Sequence, residues 1–178
     1  MSSTHHSATG AVTTHTLSVL VENKPGVLTR VTALFSRRGF NIDSLAVGPT
    51  ERPDVSRITV IARAHDAAMD QITKQLDKLI NVLKVEELKP ESTVERELLL
   101  IKVHVGDDQR ANAVQIVDLF RAHVVDVSPE SLVVETTGSR AKVQALLTAL
   151  SPYGLAEIVQ SGTVAIGRGP QSLTDAIS

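Results

Sequence analysis

Residues 17–42, LSVLVENKPGVLTRVTALFSRRGFNI, decide how the chain folds. They open on an alternation, with Leu17, Val19 and Val21 on one side and Ser18, Leu20 and Glu22 on the other, which is the period of a strand. Asn23-Lys24-Pro25-Gly26 breaks it. Val27, Leu28, Val31, Leu34 and Phe35 then recur at helical spacing, leaving Arg30, Arg37 and Arg38 in water. Pro25 suits a first helical position, where its missing N–H costs nothing. Gly39 is placed to end the helix, and Asn41 opens the next strand.

A strand that runs straight into a helix leaves the helix N-terminus exposed at the end of the sheet. The N–H groups of Gly26, Val27 and Leu28 have no intrahelical partner there, and the helix dipole adds positive potential. Gly26 has no Cβ, so a ligand can come close to the backbone. A carboxylate is the natural guest. Asn23 before the helix and Asn41 after it carry amides that both donate and accept. That set suits a zwitterion, whose carboxylate needs donors and whose ammonium needs acceptors. A plain turn would use the same letters, with Asn23 capping the helix and Gly26 fitting the bend, and the pattern leaves both readings open.

Outward from this stretch the first unit completes itself. Residues 41–47 read as a second strand, residues 48–54 as a breaker-rich loop, and Ile58, Val60 and Ala62 as the inward face of a third strand. Asp66 is predicted to cap a helix whose buried stripe is Met69, Ile72, Leu76, Leu79 and Ile80. Residues 82–88 supply a fourth strand. The order is βαββαβ, a ferredoxin-like arrangement.

After a linker at Lys89-Pro90-Glu91-Ser92-Thr93 the order repeats. Residues 98–105 form a strand, and Ala113, Ile116, Val117 and Phe120 mark a helix. Residues 124–127 and 132–136 form two strands, Ser139 caps a helix carrying Val143, Leu146, Leu147 and Leu150, and residues 155–160 close the sheet. The fold class is α+β, two tandem ferredoxin-like units. The expected division is a disordered tail at 1–14, a first domain at 15–90, a second at 94–170 and a frayed tail at 171–178. The second unit replaces Asn-Lys-Pro-Gly by Gly106-Asp107-Asp108-Gln109, whose carboxylates repel an acid.

Composition narrows the function. The 178 residues carry a net charge of −2, which gives no electrostatic footprint for nucleic acid. Three Phe, one Tyr and no Trp leave the predicted strands without aromatics on which RNA bases could stack. The absence of cysteine removes disulfides, thiolate zinc sites and cysteine nucleophiles. No apolar run approaches the ~20 residues needed to span a bilayer. The Ser/Thr/His-rich start lacks the apolar segment of a signal peptide, so a cytoplasmic protein is expected.

Catalytic patterns are missing as well: there is no GxSxG, GxxxxGK, HExxH or GxGxxG. His104 and Lys102 share a solvated strand face. His65-Asp66 lacks further ligands at metal spacing, and His123 lies near a helix C-terminus, where a cation is favoured. Glu86-Glu87 and Asp107-Asp108 are sequence neighbours that read as surface charge.

The run LSVLVENKPGVLTRVTALFSRRGFNIDSLAVGPTE resembles the amino-terminal ACT domain of acetolactate synthase (acetohydroxyacid synthase) small subunits. The likeness continues through QITKQLDKLINVLKV, VERELLLIKV, LFRAHVVDVSPESLVVE and VQSGTVAIGRG, over residues 15–170. SRRGFNIDSL and DVSPESL are its most specific runs, and the binding loop shows no departure. The resemblance implies a regulatory subunit without catalysis of its own. Such a subunit activates a large catalytic subunit and confers feedback inhibition by valine, sometimes also by leucine or isoleucine. It implies that thiamine diphosphate, magnesium and FAD are carried by that partner, none by this chain. It implies a homodimer with ACT sheets side by side. The effector then lies between Asn23, Pro25, Gly26, Val27 and Leu28 of one chain and Asn41 and Ile42 of the other. Two rivals stand beside it: an ACT-type amino-acid sensor for a different enzyme, and an independent enzyme.

Overall fold

The computed structural model describes residues 10–177, which divide into two compact units: residues 10–92 with 169–177, and residues 93–168. In the first, β1 (Thr13–Glu22), α1 (Val27–Arg37), β2 (Ile42–Pro49), β3 (Val55–Ala64), α2 (Asp66–Asp77) and β4 (Val82–Leu88) follow the predicted βαββαβ order. Their sheet is antiparallel throughout, in the order β2-β3-β1-β4. Leu17, Val19 and Val21 meet Ile58, Val60 and Ala62 under the helices, where Val31, Phe35, Met69 and Leu76 complete the core. Ser18, Leu20, Thr59 and Ile61 on the reverse face are buried too, so the alternation separates two faces without making either a water face.

The end of α1 forms as its sequence dictates. Gly39 adopts φ 73°, and its N–H bonds Ser36 O at 3.0 Å while Phe40 N–H bonds Phe35 O at 3.0 Å. This is the Schellman arrangement, and its usual apolar contact is present as an edge-to-face pair, Phe35 against Phe40, with centroids 6.1 Å apart. Two expectations for α2 are corrected. Asp66 is its first residue rather than its cap: it accepts from Thr13 Oγ1 and pairs with His15, a buried imidazole also bonded to Glu87. Ile80 is 89% exposed, because the helix ends at Asp77 and the apolar spacing runs on past it.

The tails differ from expectation as well. Residues 1–9 lie outside the described residues, and β1 begins at Thr13, inside the stretch assigned to a tail. Residues 169–177 belong to the first unit: Thr174 is buried and donates to Glu51, while Arg52 donates to Ile177 O at 3.2 Å. The Thr174 hydroxyl holds the Glu51 carboxyl below the usual carboxylate range. A polar segment packed this way has partners more than a hundred positions away, which local composition does not register.

The second unit contains β5 (Thr93–His104), α3 (Asp107–Leu119), β6 (His123–Ser128), β7 (Ser131–Gly138), α4 (Arg140–Leu150), β8 (Leu155–Gln160) and β9 (Val164–Gly167). Its main sheet runs β6-β7-β5-β8, and β9 pairs with the opening residues of β5. The supposed linker is a short 3₁₀ turn at Pro90–Ser92, after which Thr93 already starts β5. Ser139 caps α4 as predicted, its Oγ accepting from Lys142 N–H at 3.3 Å. Because that bond is long, Ser139→Ala is expected to lower stability by about 0.5–1 kcal/mol in urea unfolding.

Candidate functional site

β1 delivers the chain to the turn before α1, and the backbone there is fixed from two sides. Asn23 N–H donates to Asp54 O and Glu22 N–H to Asn81 O, both at 2.9 Å. The Glu22 carboxylate accepts from Lys24 Nζ and Asn81 Nδ2, also at 2.9 Å, and these bonds hold its pKa below the usual carboxylate range. Its charge is therefore already answered before an acid approaches the turn.

Gly26 is the N-cap of α1, with φ 83°. A side chain at that φ is strained, which explains the glycine. Pro25 consequently precedes the cap instead of opening the helix: the left-handed residue sits between it and Val27, so the first-position reading is two places early. The first intrahelical bond runs from Arg30 N–H to Gly26 O at 3.2 Å, leaving the N–H groups of Val27, Leu28 and Thr29 ahead of it. No side chain caps this end, so Asn23 does not play the helix-cap role, and α1 carries no acidic residue in its first turn. The result is an uncapped, positively polarised terminus, open at Asn23, Pro25, Gly26 and Leu28. Val27 offers only its backbone, since its side chain is core.

The corresponding turn of the second unit is built differently. Gly106 caps α3 at an ordinary φ of −85°, Asp107 and Asp108 occupy the first turn, and Asp108 Oδ1 lies 3.2 Å from where a Cβ on Gly106 would stand. This helix supplies its own carboxylates.

Within one chain the predicted site residues form two separate groups. Ile42 lies opposite Ala62 on β3, and so does His15 on β1, so Ile42 is level with the start of β1 while Asn23 follows its end. The eight steps from His15 to Asn23 span ~26 Å of strand. Asn41 and Ile42 therefore cannot reach the Gly26 turn of their own protomer. Pro49, at the other end of β2, is level with Ser56 and hence with the turn. Sequence reasoning missed Asp43, which accepts from Asn41 Nδ2 at 3.2 Å and pairs with Arg63 at 2.9 Å. The bulge that places it carries no letter of its own.

Among the described residues, no three His, Asp or Glu side chains gather to hold a metal, and no helix is long and apolar enough to cross a membrane. The first unit matches the AHAS small subunit-like ACT domain over residues 17–84, so an ACT domain is the class that this sheet and turn define. Residues 96–169 match the family described as small subunit of acetolactate synthase. The chain is 60% identical to the acetolactate synthase small subunit of Mycobacterium bovis, over 90% of this chain and 95% of that protein. It is 48% identical to the probable acetolactate synthase small subunit of Methanothermobacter thermautotrophicus, over 90% and 96%. The crystal structure of the small subunit from Thermotoga maritima superimposes with a TM-score of 0.82 at 42% identity, covering 89% of this chain and 99% of that one. The chain belongs to the acetolactate synthase small-subunit family.

Proposed function

We propose that this chain is a regulatory, non-catalytic subunit that activates the catalytic large subunit of acetolactate synthase and makes it subject to feedback inhibition by valine. Thiamine diphosphate, magnesium and FAD belong, on this reading, to the catalytic partner in the cytoplasm. The observation that carries it is the uncapped terminus of α1 at one end of the sheet, with the Asn41 amide at the opposite end of a strand open on one side. β2 pairs only with β3 among the described residues, so its outer edge is available. Two copies joined antiparallel along that edge would bring Asn41 and Ile42 of one protomer toward the Pro49 end of the other, and so to its Gly26 turn. An amino-acid carboxylate then meets the N–H groups of Val27 and Leu28, each charge-assisted bond being worth ~1.5–3 kcal/mol. Its ammonium meets the asparagine oxygens. Such a ligand binds well to one dimer geometry only, which is the differential affinity that a feedback signal requires.

Titration with valine, leucine and isoleucine, with and without the catalytic subunit, tests the assignment. A sharper test mixes variants. Asn23→Ala and Asn41→Ala homodimers are each expected to bind valine at least tenfold more weakly. Their heterodimer keeps one site with both asparagines and is expected to recover about half the wild-type stoichiometry in calorimetry. A site built within one chain would show no recovery.

A further inference from the structure

The contact made by Asn41 fixes which of its two amide atoms is engaged within the chain and which is left over. Asp43 is a carboxylate and only accepts, so the Asn41 atom turned toward it at 3.2 Å is the NH₂ group. The carbonyl oxygen of Asn41 is left pointing elsewhere, free to accept. Asp43 is itself held: its other oxygen pairs with Arg63 Nε of β3 at 2.9 Å, and its side chain is only 13% exposed. The β2–β3 register shifts between Ile42 and Ser44, so Asp43 is the extra residue of a bulge, a device that re-aims a side chain out of the regular pleat. Arg63, Asp43 and Asn41 thus form a relay of oriented groups along the start of β2. On the opposite strand, β1, the nearest position in register to Arg63 is Thr14, which carries no charge to compete for the guanidinium.

We propose that Asp43, clamped by Arg63, is a positioning residue that keeps the Asn41 carbonyl oxygen presented to the ammonium of an α-amino acid, so that the site selects amino acids over acids lacking that group. The inference rests on the effector-site reading above and adds a cause for its selectivity. Were the amide reversed, two sets of N–H donors would face each other and the ammonium would be rejected. An asparagine in place of Asp43 both donates and accepts, so it no longer dictates the orientation of its neighbour.

The test uses the full chain and two probes of one carbon skeleton, valine and 3-methylbutanoate, which lacks the ammonium. Valine is titrated by calorimetry, and 3-methylbutanoate is measured by its competition with valine. Asp43→Asn is expected to weaken valine about tenfold, the scale of one charge-assisted bond, while changing 3-methylbutanoate less than about twofold. Arg63→Gln, which frees Asp43 without removing it, is expected to shift the ratio the same way by about threefold. An unchanged ratio, or equal weakening of both probes, overturns the positioning role. Wild-type protein that binds no valine would instead overturn the effector-site reading itself, and this inference with it.

Discussion

Gly26→Asp is expected to weaken valine binding by more than about 100-fold and to abolish valine inhibition of the reconstituted enzyme. Room for the side chain exists, since a Cβ at this position meets nothing within 4 Å. The backbone is left-handed, φ 83°, and strains any side chain, but aspartate is among the L-residues that tolerate that region best. Its carboxylate would then stand at the open N–H groups of α1, in the place proposed for the effector's own carboxylate. Those donors are satisfied internally, and the incoming acid meets a fixed negative charge. Loss of two charge-assisted bonds at ~1.5–3 kcal/mol each gives the 100-fold figure or more. Gly26→Asn separates bulk from charge: similar in shape and tolerance, it is expected to weaken valine only about tenfold. A Gly26→Asp protein with wild-type inhibition curves would remove the turn from the site.

The largest effect on stability is expected from Phe35→Ala. Phe35 is fully buried and is the largest of the fully buried side chains. Truncation removes its contacts with the sheet and the edge-to-face pair with Phe40 at 83°. Phenylalanine truncations in cores lose about 3–5 kcal/mol, of which the ring pair accounts for about 0.5–1.5. Whole domains are stable by only about 5–15 kcal/mol, so the first unit is brought close to unfolding at 37 °C. Phe35→Leu, which keeps most of the volume, should lose less than half as much. Urea unfolding followed by circular dichroism checks both, and a loss below 1 kcal/mol for Phe35→Ala would contradict the packing role.

What could be read beforehand follows from how local each signal is. Gly39 and Phe40 announce the end of α1 because a Schellman ending depends only on neighbouring residues. Ser139 announces its helix for the same reason. The βαββαβ order, twice, follows from period changes that survive errors of a few residues at each boundary. Pro25 misled because proline suits both a first helical position and the place before a glycine cap, and only the φ of Gly26 decides. Gly26 was legible as a turn, and so was its contrast with the acidic turn at Asp107 and Asp108. Asp43 was not legible, because its partner Arg63 lies twenty positions on and a bulge sets their meeting. The separation of Asn23 from Asn41 within one chain came beforehand only from the resemblance, because the register that sets them at opposite ends of the sheet has no signature in the local residues.

The Arg52–Ile177 and Glu51–Thr174 bonds join positions 125 and 123 residues apart. During synthesis residues 51 and 52 therefore emerge well before their partners at 174 and 177, with residues 93–168 translated in between. Until residues 174–177 are made, the nascent first unit lacks both of these bonds.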